Sequence, residues 1–275
     1  MTTDSKFTVL HANVRSLTKN LENLEHLINE LKFLPDIVCI TETKLKDNYQ
    51  TKPNMTGYSM ECINSTTNAG GVGIYIKSNI SYKITKNFQL NLSGCEDIWV
   101  DINLNNKENL TIGVVYKHPN TNLHAFKSTF ENTLEILTQN KANHIICGDF
   151  NIDLLKQTSF VKDYLDSLTA CGCNQYINNP TRFSPDNTSQ SLLDHIYSNL
   201  NSHRITCQLI QNDISDHLPI LTSINYKRHK LDKEKIYIRD MSKFDTSKFL
   251  TDLTYELDIL NNDNFIEIDK IVDTF

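Results

Sequence analysis

Four short polar segments of this sequence adjoin apolar runs, and they hold most of its chemically useful side chains. They are residues 36–43 (DIVCITET), 144–151 (HIICGDFN), 191–196 (SLLDHI) and 214–218 (ISDHL). A buried strand is built from apolar residues, so a carboxylate at its end is normally directed into a crevice shared with other strand ends. One polar strand end is common, because Asp and Asn terminate strands well. Four such strand ends together supply a Glu, an Asp with an Asn, a second Asp, and a third Asp with a His. These are the groups that magnesium-dependent hydrolysis of a phosphodiester requires.

The spacing within these segments indicates which side chains act together. Mg²⁺ prefers hard oxygen ligands, few of them from the protein, and Glu42 is the candidate for its principal carboxylate. Asp149 and Asn151 lie two apart on an extended segment, so their side chains project to the same face. His217 is the candidate general acid or base, and Asp216 beside it supplies a further carboxylate near the metal.

These motifs together resemble a known family. Their order and spacing are similar to those of the endonuclease/exonuclease/phosphatase superfamily, and within it to the endonuclease domain of non-LTR (LINE-type) retrotransposons, from about Phe7 to about Tyr226. The motifs are NVRSL at 13–17, TET at 41–43, GGVG at 70–73, YKHP at 116–119, GDFN at 148–151, PTR at 180–182, LDH at 193–195 and SDH at 215–217. Each motif alone is weak, and the series as a whole is specific.

The resemblance implies roles for the acidic segments. It implies that Glu42 and Asp216 bind Mg²⁺, for which Mn²⁺ can substitute. It implies that Asp149 orients or deprotonates the attacking water and that Asn151 steadies the phosphate oxygens. A Gly-Asp-Phe-Asn tetrapeptide alone would be an ordinary turn, and its place after an apolar strand is what favours function.

The resemblance also implies that Asp194 fixes the ring of His217, which makes an Asp–His dyad across two neighbouring strands. The other eight histidines are interpreted as packing or surface residues, among them His11, His144 and His195. Because His195 follows Asp194 directly, it should point to the opposite face of its strand.

Two further positions match the family pattern and a third departs from it. Asn13 matches an asparagine that positions the metal-bound carboxylate, and Tyr116 matches a tyrosine that contacts the scissile phosphate. Arg15 stands where repair-type relatives usually carry an acid. This departure removes one possible metal ligand and argues against an abasic-site repair enzyme.

Three more residues are candidates for binding the substrate. Thr181 matches a threonine that contacts phosphate, and Arg182 beside it is placed to bind the DNA backbone. Ser215 is expected to support the site through a hydrogen bond, and a simple strand-end serine is an equal alternative.

Apolar periodicity predicts the strands and helices that must position these residues. Strands are predicted at 7–12, 37–40, 72–76, 82–84, 98–102, 112–116, 144–147, 192–197 and 218–224, and helices at 17–31, 123–137 and 160–168. The strands 72–76 and 82–84 are expected to form a hairpin, and residues 178–191 a polar loop. Strands mixed with helices predict sheets covered by helices. The resemblance implies an α+β fold (an α/β sandwich) with two mostly antiparallel sheets face to face, helices outside, and the site at one end.

Composition agrees with a globular enzyme and excludes several other classes. The N-terminus lacks the apolar core of a signal peptide, and no apolar run approaches the length of a membrane span. The 7 cysteines are scattered, mostly within apolar runs, which indicates reduced thiols in an intracellular protein. Cys171 and Cys173 have no partner pair at zinc-finger spacing, so a structural metal is not expected there.

The net charge of −6 is unevenly distributed. Up to Lys230 the chain has 21 basic and 22 acidic residues, and after it 6 and 11. Four acids of the first part belong to the proposed site, namely Glu42, Asp149, Asp194 and Asp216. The remaining surface of this part is mildly basic, which suits weak, transient contact with DNA.

Residues 1–230 are therefore predicted to form the nuclease domain, and residues 231–275 an acidic helical extension. A helix capped by Asp245 or Thr246 is expected to end at the Asn-rich residues 261–264, with a second apolar stretch after it. In the retrotransposon family this region leads to a reverse transcriptase, and nothing in the chain resembles a polymerase.

The sequence thus predicts a magnesium-dependent endonuclease that nicks one strand of DNA and leaves a 3′-hydroxyl. The resemblance implies that this end primes target-primed reverse transcription. Expected partners are DNA and a reverse transcriptase domain or retrotransposon RNA–protein complex, with no membrane. Synthesis is expected in the cytoplasm and action in the nucleus. The alternatives are an abasic-site endonuclease, a phosphatase of the same superfamily, and an inactive descendant that binds DNA or protein.

Overall fold

The computed structural model describes residues 3–46, 53–65, 67–105, 108–184, 186, 188–228 and 244–262. The chain divides into two compact units, unit 1 from Met1 to Lys230 and unit 2 from Leu231 to Phe275. The elements of unit 1 are β1 (Thr3–Asn13), α1 (Leu17–Glu30), β2 (Ile37–Thr41), β3 (Tyr58–Ile63), β4 (Val72–Lys77), β5 (Tyr82–Ile84), β6 (Cys95–Asn105), β7 (Glu108–Lys117), α2 (Leu123–Gln139), β8 (His144–Asp149), α3 (Ser159–Ala170), β9 (Asn174–Gln175), β10 (Arg182–Phe183), β11 (Gln190–Ser191), β12 (Asp194–Ser198), β13 (Ile205–Leu209) and β14 (Ile220–Arg228).

Most of these strands form two six-stranded sheets. Sheet I has the order β13-β14-β1-β2-β4-β3, and sheet II has the order β5-β6-β7-β8-β12-β9. Each sheet contains one parallel pair, β1 with β2 and β7 with β8, and all its other pairs are antiparallel. The strands β10 and β11 form a separate two-stranded ribbon. The fold is the α+β sandwich that the sequence predicts.

Three apolar clusters hold the layers together. Inward-facing residues of both sheets, such as Phe7, Val9 and Ile112, form the cluster between the sheets. Residues at the alternate positions of β1, such as Leu10, pack with α1 on the outer face of sheet I. The outer face of sheet II packs against α2 and α3 around Phe150. A buried apolar side chain contributes about 1.5–3 kcal/mol, so these alternating patterns determine which face of each strand points inward.

The two parallel pairs decide where the site lies. Parallel neighbours require a crossover, and α1 joins β1 to β2 as α2 joins β7 to β8. The two strands of each pair therefore end at the same edge of their sheet. In register, Asn13 lies beside Thr41, and Tyr116 lies beside Asp149.

The predicted hairpin of 72–76 with 82–84 is wrong. Strand β4 is hydrogen-bonded to β2 on one side and to β3 on the other, so neither of its edges is open to β5. The chain instead crosses to sheet II, where β5 pairs with β6. The short strands β3, β9 and β13 were not predicted, and the predicted polar loop 178–191 contains β10 and β11.

The described part of unit 2 is the helix α4, Thr246–Asn262. Its first turn is capped by Asp245, whose Oδ1 accepts hydrogen bonds from the amides of Ser247 and Lys248 at 3.0 Å each. This helix was predicted, and the second apolar stretch expected after it lies outside the described residues. No described helix combines the length and apolarity that crossing a bilayer requires.

Gly148 is required where sheet II brings two backbones together. A Cβ atom at this position would lie 1.8 Å from the backbone carbonyl oxygen of Val115 on β7. Because this oxygen belongs to the backbone, a change of side-chain rotamer cannot relieve the clash. We expect Gly148→Ala to lower the free energy of unfolding by about 3 kcal/mol or more. The matched control is Gly57→Ala, where φ is +85° but nothing lies within 4 Å, and about 1–2 kcal/mol is expected from backbone strain alone. Urea unfolding of both variants measures the difference, and equal losses would contradict the close approach.

Candidate active site

Two buried carboxylates form the centre of the candidate site. Asp149 ends β8 and Asp194 begins β12, and the two residues lie directly opposite each other in this antiparallel pair. Both are almost completely buried. Two like charges side by side in a low-dielectric interior repel strongly, so each carboxylate needs its own stabilising partners.

Asp149 is held by amide groups from two directions. Its Oδ2 accepts a hydrogen bond from Asn13 Nδ2 at 2.9 Å, and its Oδ1 accepts one from the backbone amide of Asn151 at 3.0 Å. Burial and then the charge of Asp194 raise the pKa of Asp149 to about 7, against the opposing charge of His217. A carboxyl group with this pKa exchanges a proton near neutral pH, which is the property of a general base.

Asp194 accepts hydrogen bonds from two imidazoles. Its Oδ2 lies 2.7 Å from His217 Nδ1, and its Oδ1 lies 3.1 Å from His11 Nε2. Burial alone would raise the pKa of Asp194, but the charge of His217 and the hydrogen bonds from both histidines outweigh it and hold this pKa well below its ordinary value. Asp194 is therefore the ionised member of the carboxylate pair.

His217 is the partner that Asp194 orients. Burial alone would lower its pKa, but the charges of Asp194, Asp149 and Asp216 raise the pKa of His217 to about 9. With Nδ1 bonded to Asp194, the Nε2 atom has no hydrogen-bond partner among the described residues. The expected Asp194–His217 hydrogen bond is present, but not across two neighbouring strands, because His217 lies in the segment between β13 and β14 and forms an isolated bridge with Arg182.

His11 was expected to be a packing or surface residue, and its hydrogen bond to Asp194 was not predicted. It is fully buried, and it reaches from sheet I to Asp194 in sheet II. The signal was present in the sequence, because His11 and Asn13 are two apart on β1 and continue the inward-facing series of Phe7 and Val9. A polar residue at such a position faces the other sheet.

Asn13 connects the two halves of the site. Its Nδ2 donates to Glu42 Oε1 at 3.0 Å as well as to Asp149, and its Oδ1 accepts the amide of Arg15 at 3.2 Å. Glu42 is also paired with Lys44, whose Nζ lies 3.4 Å from Oε2. One amide group thus fixes the distance between the candidate metal carboxylate and the candidate base.

The backbone around Glu42 and Asp149 adopts unusual conformations. Five non-glycine residues here have positive φ angles, namely Arg15 (47°), Ser16 (118°), Glu42 (52°), Lys44 (54°) and Asn151 (47°). Each such residue costs on the order of 1–3 kcal/mol and persists only where neighbouring structure determines it. That structure is a ladder between adjacent loops, in which Ser16 and Leu17 donate to the carbonyls of Glu42 and Thr43, and Thr43 and Lys44 donate to those of Gly71 and Gly70. Clustering of backbone strain is typical of functional sites.

Asp216 lies between two arginines. Arg182 Nε donates to Asp216 Oδ2 at 2.8 Å, and Arg15 Nε lies 3.0 Å from Oδ1. Despite this ion pair, the buried Oδ1 atom accepts no hydrogen bond of acceptable geometry from the described residues. The sequence did not predict that Arg15 would face Asp216.

The acidic groups can hold a metal ion. Asp149, Asp194 and His217 offer ligand atoms within 4.8 Å of one another among the residues that the structure describes. Both oxygens of Asp194 and both of Asp149 already accept hydrogen bonds. Glu42 and Asp216 also supply hard oxygens of the kind that a divalent cation prefers, and they too have partners, Asn13 and Lys44 for Glu42 and Arg15 and Arg182 for Asp216.

Two further candidate residues, Tyr116 and Asn151, lie beside Asp149. The ring of Tyr116 packs edge-on against His118, with centroids 4.9 Å apart, and burial followed by the charges of Glu42 and Asp149 raises the pKa of Tyr116 well above its ordinary value. Asn151 Nδ2 donates to the carbonyl of Lys117 at 2.9 Å.

Ser215 and Thr181 support the backbone of the site. Ser215 Oγ donates to the carbonyl of Asn13 at 2.7 Å and accepts the amide of His217 at 3.1 Å. Thr181 is fully buried, and its Oγ1 accepts the amides of Leu193 and Asp194 at 3.1 and 3.0 Å. These contacts give Thr181 a supporting position under Asp194, and the phosphate contact expected for it stays a prediction.

Comparison with known proteins agrees with this fold. The family model described as "Endonuclease/Exonuclease/phosphatase family" matches residues 10–217. The endonuclease domain of TRAS1, a telomere-specific non-LTR retrotransposon, is a similar solved structure, with a TM-score of 0.63, 15% identity, and coverage of 80% of this chain and 98% of that one. A sequence comparison with curated proteins finds no match.

Two other solved structures are about equally similar. The AP endonuclease LMAP from Leishmania major has a TM-score of 0.63 at 15% identity, over 80% of this chain and 88% of that one. A 3'-5' exonuclease (NExo) from Neisseria meningitidis has a TM-score of 0.62 at 16% identity, over 80% of this chain and 100% of that one. At such identities the likeness concerns the fold alone.

The support that Thr181 gives to the start of β12 can be measured. Thr181→Val keeps the shape but removes the acceptor of two buried amides, and each unsatisfied group costs about 1–3 kcal/mol. We expect Thr181→Val to lower the free energy of unfolding in urea by about 2–4 kcal/mol. Thr181→Ser retains the hydroxyl and should lose less than about 1.5 kcal/mol. Equal stability of the two variants would contradict the supporting role.

Proposed function

Because the chain belongs to the endonuclease/exonuclease/phosphatase family, we propose that it is a metal-dependent DNA endonuclease that nicks one strand of a duplex. The observation that carries the proposal is the hydrogen-bonded series Glu42–Asn13–Asp149 beside the Asp194–His217 pair. It brings a candidate metal carboxylate, a carboxyl group whose pKa is about 7, and an oriented imidazole to one end of the sandwich.

The proposed reaction is in-line attack of water on a backbone phosphorus. Asp149 takes a proton from the water, the new bond forms to phosphorus, and the bond from phosphorus to the 3′ oxygen breaks. The leaving oxygen takes up a proton from His217, the candidate general acid, whose raised pKa keeps the ring protonated near neutral pH, and this leaves a 3′-hydroxyl on one side and a 5′-phosphate on the other. His217, held by Asp194, and the amide of Asn151 stabilise the charge on the phosphate oxygens.

Glu42 and Asp216 would hold the metal ion, with Mg²⁺ as the proposed ion and Mn²⁺ as a substitute. A bound Mg²⁺ offsets the negative charge that develops on the phosphoryl group. Asn13 holds the Glu42 carboxylate in place through its amide. Arg182, whose side chain is 39% exposed, is proposed to bind the DNA backbone, together with Tyr116, Thr181 and Ser215 near the scissile phosphate.

We propose that the target is intact DNA and that the 3′-hydroxyl primes reverse transcription in the nucleus. Arg15 supports this, because it stands where repair-type relatives carry an acid and here pairs with Asp216. All residues that carry the proposal lie in unit 1, which we propose is the nuclease domain, with unit 2 as an extension toward a reverse transcriptase. An abasic-site endonuclease is the second candidate, since the fold is about as similar to an AP endonuclease as to a retrotransposon endonuclease.

Nicking of supercoiled plasmid tests the catalytic proposal. We expect nicking with Mg²⁺ and none with chelator, because the phosphate charge then lacks its counter-ion. Asp149→Asn and His217→Ala should each lower the rate by about 10²–10⁴-fold, as expected for a lost proton-transfer or charge-stabilising group. The controls are Asp163→Asn and His26→Ala, which make comparable changes at exposed positions of α3 and α1. Wild-type rates in either site variant would contradict the assignment of these residues.

A second assay separates the two nuclease proposals. Abasic-site enzymes extrude the damaged nucleotide into a fitted pocket, whereas a nuclease for intact DNA reads groove shape and deformability. We expect similar cleavage of one labelled duplex with and without an abasic site, with nicks clustered at flexible pyrimidine–purine steps. A hundredfold preference for the abasic duplex, about 2.7 kcal/mol in transition-state terms, would favour repair instead.

A further inference from the structure

The ring of His11 contacts Asp194, but the proposed reaction gives His11 no role. It is fully buried, it follows Phe7 and Val9 in the inward-facing series of β1, and the only described hydrogen bond of its ring is to Asp194 Oδ1. An imidazole at such a place needs a reason, because its polar atoms lose water on burial.

The ring nitrogens of His11 indicate its protonation. Nε2 lies 3.1 Å from the Asp194 carboxylate, which only accepts hydrogen bonds, so Nε2 carries the proton. The other nitrogen, Nδ1, is buried and has no hydrogen-bond partner among the described residues. A proton there would leave a buried donor unpaired, which is costly. The contacts therefore match a neutral ring that donates once, to Asp194.

This donor completes the restraint on Asp194. His217 Nδ1 holds one carboxylate oxygen, His11 Nε2 holds the other, and Thr181 Oγ1 holds the backbone amide. The terminal torsion of an aspartate is otherwise broad. If Oδ1 were free, the carboxylate could turn and the ring of His217 would turn with it.

We propose that His11 is a positioning residue that fixes the orientation of His217 through Asp194. The inference rests on the proposed function for its kinetic consequence, but the hydrogen-bond arrangement can be tested without it. A displacement of about 1 Å at a reacting group lowers rates by up to about 10²-fold, so the effect should appear in kcat and not in substrate binding.

The kinetic test compares two amides at position 11. The amide of His11→Gln reaches about as far as Nε2, whereas the amide of His11→Asn is one methylene shorter and cannot reach Asp194 Oδ1. We expect His11→Asn to lower kcat for plasmid nicking by about 10- to 100-fold with KM within about threefold, and His11→Gln to recover most of the loss. The control is His144→Asn, which changes a second buried histidine that contacts Ala142 and not Asp194. If His11→Asn does not fold, His11→Leu takes its place.

A double-mutant cycle excludes a merely structural role. If His11 acts through His217, adding His11→Asn to His217→Ala should cost less than about twofold. A full additional loss in that background, or an unchanged kcat in folded His11→Asn, would overturn the proposal.

Imidazole ¹H–¹⁵N NMR of the folded proteins gives a result that does not depend on nicking. The wild-type spectrum should contain a neutral His11 protonated at Nε2, and the Nδ1–H signal of His217 should shift or broaden in His11→Asn but not in His144→Asn. A His11 ring protonated at Nδ1, or an unchanged His217 signal, would overturn the inference. A wild-type protein that gives the expected spectra but does not nick DNA would overturn the proposed function alone.

Discussion

Two carboxylates of like charge, buried directly opposite each other in the β8–β12 pair, are the constraint on which the rest of this site depends. Burying one unpaired carboxylate is already unfavourable, and burying two in contact requires dedicated donors. Two of these donors come from the opposite sheet. Asn13 and His11, both from β1 of sheet I, reach across the sandwich to Asp149 and Asp194 respectively. The same contacts therefore stabilise the charges and join the two sheets at the candidate site.

The different partners of the two carboxylates explain why they are not equivalent. Asp194 receives hydrogen bonds from two imidazoles and stays ionised. Asp149 receives only amides, so burial and its charged neighbour raise its pKa. Neighbouring titratable groups whose pKa values are pushed apart are a recurring arrangement in acid–base catalysis. Here the separation follows from the type of donor that each carboxylate meets.

The sequence predicted the local parts of this site and missed the contacts that depend on tertiary structure. Strand ends such as Asp149 were predictable because an apolar run followed by a polar residue is a local signal. The pairing of β4 was not predictable in this way. The short connection between β4 and β5 favours a hairpin, but β4 pairs instead with β2, which lies more than thirty residues earlier in the chain. The contact of His11 with Asp194 was not predicted, because the alternation along β1 indicates that His11 faces inward but not which residue of the other sheet it meets. The ion pair of Arg15 with Asp216 joins residues from the two ends of the unit and has no local signal at all.

The strand orders of the two sheets have one more consequence. When the strands are counted from β13 in sheet I and from β5 in sheet II, each strand of one sheet has a counterpart at the same place in the other. The parallel pair β1–β2 then corresponds to the parallel pair β7–β8, and each pair is joined by a crossover helix. The sandwich is thus a pseudo-twofold scaffold that carries unlike chemistry on its two halves, with Glu42 after β2 and Asp149 at the end of the corresponding strand β8. A site with true twofold symmetry would treat both directions of a bound polymer alike. Because Glu42 and Asp149 occupy corresponding places with different partners, this site is asymmetric, and the proposed phosphodiester substrate would meet the two carboxylates in one orientation only.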